Sequence, residues 1–261
     1  MSAVTQEILY GRHAVHEALR ARRRRFYSLV LASTVQASGL VRQIEQLAQQ
    51  AGCPIQRADK EQFQRILPSS NHQGVALEAS PYPYVPFETC LALAHKRAEA
   101  PLLLLLDHLE DPQNVGTLLR TAEAMGVHGV ILPKRRAASI TPGVCNASSG
   151  AVEHLLIAEV TNLARTQDEL KKAGLWIAGL DDAARSQDLA ESDLSGALAL
   201  VVGGEGRGLS RLVRDKCDWL VRIPMFGQVD SLNVAIAGSV ALVAARQARR
   251  TPPFASKEML Q

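Results

Sequence analysis

From Pro101 onwards the sequence is built of short, almost wholly apolar runs: Leu102–Asp107, Gly129–Pro133, Leu175–Leu180, Ala197–Val202 and Trp219–Ile223. Stretches with a helical period separate or follow them, at Val115–Met125, Leu163–Ala173, Leu209–Lys216 and Ser231–Arg249. A strand exposed on one face alternates apolar and polar residues, whereas a run that is apolar throughout is buried on both faces. Such runs alternating with helices imply an α/β fold with a parallel sheet covered on both sides. Ligands of these sheets bind beyond the carboxyl ends of the strands, and every unusual residue cluster in this half of the chain lies there.

The first 80 residues read as a smaller α/β unit. Helices are predicted at Gly11–Leu19, Leu40–Ala51 and Lys60–Leu67, and strands at Phe26–Ala32, Pro54–Arg57 and Gly74–Ala79. Three prolines within Ser80–Pro86 disfavour helix and mark a linker, followed by a helical Glu88–Arg97. The expected division is a small α/β domain over 1–80, a linker and connecting helix over 81–100, and a parallel-sheet domain over 101–261. The net charge of +3 says little, but residues 1–80 hold ten Lys and Arg against six Asp and Glu. That imbalance suits contact with phosphates and equally suits a solvated basic face. Arg22, Arg23, Arg24 and Arg25, on an expected exposed loop, are the candidate substrate-binding residues. Phe26, Tyr27, Tyr82 and Tyr84 are the few aromatics available for base stacking. The reading preferred over that role is core for Phe26 and Tyr27 and packing against the C-terminal domain for Tyr82 and Tyr84.

The four cysteines are scattered, with no CxxC pair and no histidine at metal spacing, so neither a disulfide framework nor a metal site is expected. The start lacks the pattern of a secretory signal. The longest apolar run, Leu102–Leu106, falls far short of the roughly 18 residues that span a membrane. A cytoplasmic protein with no membrane partner is expected.

Three clusters carry chemistry. Asp107–Arg120 (DHLEDPQNVGTLLR) places Asn114 where a helix N-cap is expected and Arg120 almost two turns in; a plain βα loop with a surface arginine explains it about as well. Gly203–Leu209 (GGEGRGL) has four glycines in six positions, a sign of positive φ or close ligand contact. The embedded Glu205 would repel a pyrophosphate and no Lys-Ser/Thr follows, so a loop around a neutral or cationic ligand fits better than a dinucleotide or P-loop site. Ile223–Ala235 (IPMFGQVDSLNVA) ends a strand and opens a helix at Ser231; capping accounts for Ser231 there but not for Asn233.

Together and in this order, DPQNVGTLLRTAEAMGVHGVIL, VVGGEGRGLS and IPMFGQVDSLNVAIA resemble the SpoU/TrmH family of RNA ribose methyltransferases, within the SPOUT superfamily. Asn146–Ala151 looks like that family's loop between the first two motifs. YGRHAVHEAL and NHQGVALEASPYPY are similar to the small domain of the RlmB type, which methylates a guanosine ribose of 23S rRNA. The resemblance implies a parallel sheet with a C-terminal trefoil knot, a homodimer, RNA rather than DNA as partner, and S-adenosylmethionine as methyl donor, leaving as S-adenosylhomocysteine. It implies substrate binding for residues 1–80 and catalysis for 101–261. It implies that Gly203, Ile223 and Leu232 contact the donor, with Met225 and Gly208 beside them. Gly204 falls where relatives vary and is given no role, and Ala235 stands where many relatives have Ser. Asn114, Arg120, Glu205, Ser231 and Asn233 are the implied catalytic set.

A guanidinium is effectively never deprotonated, so Arg120 is expected to orient the target phosphate or stabilise a developing alkoxide. Asn114, Ser231 and Asn233 would position ribose and loop backbone, and Glu205 would hold the motif loops. Methylation of tRNA ribose is the nearest alternative, and a non-catalytic RNA-binding protein the second. A Rossmann oxidoreductase fails for want of GxGxxG after the first strand.

Overall fold

The computed structural model describes residues 6–36, 38–68, 71–135, 137–183, 186–206 and 208–249. They pack as two units, one formed by residues up to Pro83 with Asp111–Arg120 and Ala138–His154, the other by Tyr84–Glu110, Thr121–Ala137 and the chain from Leu155 onwards.

The first unit is built on β1 (Glu7–Tyr10), α1 (Arg12–Ala21), β2 (Phe26–Ala32), α2 (Gly39–Gln50), β3 (Ile55–Ala58), α3 (Lys60–Ile66) and β4 (Val75–Ala79). Its four-stranded sheet has the order β1-β4-β2-β3, antiparallel except for the β2–β3 pair. The two amphipathic helices α1 and α2 bury Ala14, Val15, Ala18, Leu19, Val41, Ile44 and Ala48. A separate cluster gathers Val30, Ala32, Ala58, Phe63 and Ala76. Helix α3 starts at a complete capping box between Asp59 and Gln62. Strand β1 has no counterpart among the predicted elements, and Phe26 and Tyr27 are half-buried.

The second unit begins with α4 (Phe87–Lys96) and β5 (Leu102–Asp107); helix α5 (Pro112–Ala124) follows, giving its first turns to the first unit. Then come β6 (Gly129–Pro133), α6 (Pro142–Ala147, in the first unit), β7 (Ile157–Val160), α7 (Leu163–Lys172), β8 (Trp176–Leu180), β9 (Gln187–Asp188), β10 (Leu198–Gly203), α8 (Arg211–Asp215), β11 (Trp219–Arg222) and α9 (Val234–Ala248). Seven strands form one sheet in the order β7-β6-β5-β10-β8-β11-β9, every pair parallel. The central strands β5 and β10 are buried along their whole length, as their unbroken apolar sequence requires. Because all strands run one way, the ends of β5, β8, β10 and β11 lie at one edge of the sheet.

Candidate functional site

The loops beyond β8, β10 and β11 and the start of α9 enclose a cavity of about 830 Å3. Its walls are Leu180–Ala183, Val202–Gly206 with Gly208, then Arg222, Ile223 and Met225, and finally Asp230–Val234 with Ala237. Gly203, Glu205, Gly208, Ile223, Met225, Ser231, Leu232 and Asn233 are thus brought together around one space.

The glycine loop has its shape for steric reasons. A methyl group on Gly203 would overlap the Gly208 carbonyl, and one on Gly204 would overlap the carbonyl of His108. Gly204 and Gly208 pair as an isolated bridge, with the Gly208 N–H donating to the Gly204 carbonyl at 3.1 Å. The turn between them passes through Gly206 at φ 73° and closes at Gly208 at φ 60°. Gly204, given no role from the sequence, is therefore required by close backbone packing.

Asn233 is the N-cap of α9, its Oδ1 accepting the N–H groups of Ala235 (2.9 Å) and Ile236 (3.3 Å). The helix opens three residues later than predicted. Ordinary capping accounts for Asn233 after all, and Ser231 lies exposed in the loop before it. A similar shift affects the first cluster. Asp111 caps α5, its carboxylate accepting from Gln113 and Asn114 at 3.2 Å each, so Asn114 sits inside the first turn rather than at the cap.

The lining carries the carboxylates Asp181, Asp182, Glu205 and Asp230 against the cations Arg214 and Arg222. Both cations are already paired, Arg214 with Asp181 at 2.9 Å and Arg222 with Asp188 at 2.6 Å. Among the described lining residues carboxylates outnumber cations, and this balance over an apolar wall of Leu180, Val202, Ile223 and Leu232 favours a ligand with a positive centre and an apolar body. The donor set fits S-adenosylmethionine, a sulfonium compound with a flat purine.

Two residues missed in the sequence brace this edge of the sheet. Asp107, fully buried at the end of β5, accepts the Ser210 N–H at 2.7 Å and meets Nδ1 of His108 at 2.5 Å. His108 holds a left-handed φ of 58°. The available signal was a carboxylate closing five consecutive leucines, which at that position must find partners. Asp181, which also accepts the Ala183 N–H, gave no such signal.

Asn114 and Arg120 belong to the first unit. There Gly116 brings α5 against Ala147, since a methyl group at Gly116 would overlap the Ala147 side chain. Arg120 is exposed and its Nη1 donates to Ser149 Oγ at 3.1 Å. Ser149 (φ 53°) and Gly150 (φ 84°) shape the Asn146–Ala151 loop, and Asn146 Nδ2 donates to the Tyr10 carbonyl at 3.1 Å.

The four-arginine run is not the uniformly exposed loop predicted. Arg24 is buried, its guanidinium bonded to Glu153, Glu7 and the Ser80 carbonyl. Arg23 donates to the Tyr82 hydroxyl and the Pro83 carbonyl, and Arg22 to Gln50 Oε1 at 3.0 Å. Burial makes full hydrogen bonding obligatory for a guanidinium, which takes Arg24 away from any substrate. Only Arg22 and Arg25 are exposed.

The sequence model of the SpoU rRNA Methylase family matches residues 101–243, and that for RNA 2′-O ribose methyltransferase substrate binding matches residues 8–85. YacO of Bacillus subtilis, named for the TrmH family of tRNA/rRNA methyltransferases, is 40% identical over 90% of this chain and 92% of its own. A Staphylococcus aureus protein with the same family name is 41% identical over 89% of this chain and 92% of its own. The SpoU methyltransferase AviRb from Streptomyces viridochromogenes shares the fold with a TM-score of 0.76 at 24% identity, covering 94% of this chain and 90% of AviRb. The AdoMet-bound rRNA methyltransferase from Sinorhizobium meliloti gives a TM-score of 0.74 at 25% identity, covering 93% and 87%. Over half of the chain matches the methylase family and most of the remainder its substrate-binding companion; the chain belongs to the SpoU rRNA Methylase family, the SpoU/TrmH group of RNA 2′-O-ribose methyltransferases.

Proposed function

We propose that this enzyme methylates the ribose 2′-hydroxyl of a guanosine in 23S rRNA, with S-adenosylmethionine held in the cavity at the carboxyl edge of the seven-stranded sheet. The observation that carries the reading is the convergence of the glycine loop, Ile223–Met225 and Ser231–Asn233 on one space whose described lining holds more carboxylates than cations. Gly203, Gly208, Ile223, Met225 and Leu232 would hold the donor, largely through backbone groups. When bound, the donor supplies an electrophilic methyl carbon.

The chain's own residues align and polarise. In-line approach of the 2′-oxygen makes positioning the dominant requirement. Asn233 fixes the first turn of α9 and with it the loop carrying Ser231, and Asn114 and Ser231 position ribose. Glu205 holds the motif loops. Arg120, steadied by Ser149, stays charged and orients the target phosphate or stabilises the developing alkoxide. Residues 1–80 deliver RNA, 81–100 connect, and 101–261 catalyse; a C-terminal trefoil knot is carried over from the SPOUT resemblance. Cytoplasmic rRNA is the expected target, and no helix among the described residues is long and apolar enough to cross a membrane.

A homodimer is supported by α9, where Ile236, Val240 and Val243 are exposed at helical spacing. The second reading is tRNA ribose methylation, favoured by the relatives' shared tRNA/rRNA name. Incubation with methyl-labelled S-adenosylmethionine and separate rRNA and tRNA pools, followed by mapping of the label, decides between them. Label on a guanosine ribose of 23S rRNA is expected; label on tRNA alone favours the second reading, and label on a base overturns both.

A further inference from the structure

The first unit contains a second cavity, of about 870 Å3, unconnected with any residue of the catalytic set. Its floor is apolar, made by Ala32 and Val35 beside the buried ring of Phe63. Its rim carries the cations Arg12 and Lys60 beside two histidines, and among the described residues no carboxylate lines it. Neither Arg12 nor Lys60 is in an ion pair among the described residues, in contrast to Arg24. The Arg12 stem is fixed, since its Nε donates to the Gln73 carbonyl at 3.3 Å and its backbone N–H to Gln73 Oε1 at 3.2 Å. His72 Nδ1 accepts the Gly74 N–H at 2.9 Å, so the neutral ring carries its proton on Nε2 as a hydrogen-bond donor. That ring is backed by Phe63, with centroids 4.6 Å apart.

A cavity of this size with an apolar and aromatic interior, ringed by unpaired cations, matches a flat apolar body joined to an anion. A base within a duplex is stacked and cannot enter; a base in a loop can. We propose that this cavity receives a single unstacked nucleotide of the RNA substrate, its base lodged over His72 and Val35 and its phosphate held by Arg12 and Lys60. The inference rests on the RNA methyltransferase reading and adds to it a recognition site for unpaired RNA.

Binding of a short fluorescein-labelled unstructured RNA, and of the same RNA annealed to its complement, is measured by anisotropy on the full chain without donor. Lys60→Glu and Arg12→Gln are each expected to weaken single-strand binding about tenfold and to flatten its salt dependence by about one charge. Thr34→Trp, at an exposed lining position, fills the cavity while keeping its charges, and is expected to weaken single-strand binding and leave duplex binding unchanged. Thermal melts and S-adenosylmethionine titration should match wild type in all three. Wild-type affinity in these variants, equal losses for single strand and duplex, or a parent chain that binds no RNA would each overturn the proposal. A chain that binds as expected yet transfers no methyl upholds the nucleotide site and removes the methyltransferase reading.

Discussion

Arg24 lies with its guanidinium wholly out of solvent, meeting Glu153 through Nε and Nη2 and Glu7 through Nη1. Burial alone would lower its pKa, but the hydrogen bonds and charge of Glu153 outweigh that and hold it above the usual arginine value. Next to this pair the Cys145 thiol is pushed well up by burial and by the Glu153 carboxylate, so it stays protonated and unreactive. A buried ion pair adds little net stability over an apolar pair, but removing one partner strands a charge. Glu153→Gln leaves Arg24 only the partly exposed Glu7 carboxylate, and is expected to cost about 3 kcal/mol in denaturant unfolding, more than replacing Arg24 and Glu153 together by Met and Leu. A loss under about 1 kcal/mol for the single variant would show that the pair is not structural. From the sequence, four consecutive arginines look alike; only tertiary structure, which puts a carboxylate against one of them, distinguishes Arg24.

At the scale of elements, α9 connects capping to the site. Asn233→Ala removes the acceptor for two backbone N–H groups at the helix start and is expected to cost about 1 kcal/mol. Asn233→Asp keeps an acceptor there, so stability should be retained. If methyl transfer falls in both, Asn233 acts on substrate; if only in the alanine variant, its contribution is the cap. Unfolding curves and turnover on the two variants separate the cases. The five short apolar runs were legible as strands because burial on both faces leaves an unbroken hydrophobic signature. Strands β1, β7 and β9 were not, since β1 (EILY) and β7 (IAEV) are four-residue runs each containing a glutamate and β9 is two polar residues. The convergence of the glycine loop and Ser231–Asn233 on the sheet edge followed from parallel topology. The true caps did not, because Asp111 and Asn114, or Ser231 and Asn233, are equally good capping residues and only backbone geometry selects one.

For the whole molecule, the proposed homodimer is testable at the exposed stripe on α9. Its opposite face buries Ala235, Gly238, Ala241, Leu242 and Ala245, while Ile236 at 52%, Val240 at 41% and Val243 at 36% exposure remain uncovered in a single chain. Val240→Glu is expected to convert a dimer to a monomer in light scattering while leaving the melting profile of the fold similar. An unchanged mass would place the interface elsewhere. The Arg24–Glu153 ion pair has an effect reaching beyond stability, because its two residues stand 129 positions apart. A gene cut within the proline-rich stretch Ser80–Pro86 would yield an N-terminal fragment in which Arg24 keeps Glu7 but lacks Glu153, the carboxylate that meets both its Nε and Nη2. Grafting that fragment onto a foreign methyltransferase would fail for the same reason. Only a hybrid that also carries Ala138–His154 keeps the salt link intact, so recombination among relatives at this join is constrained by one glutamate far downstream.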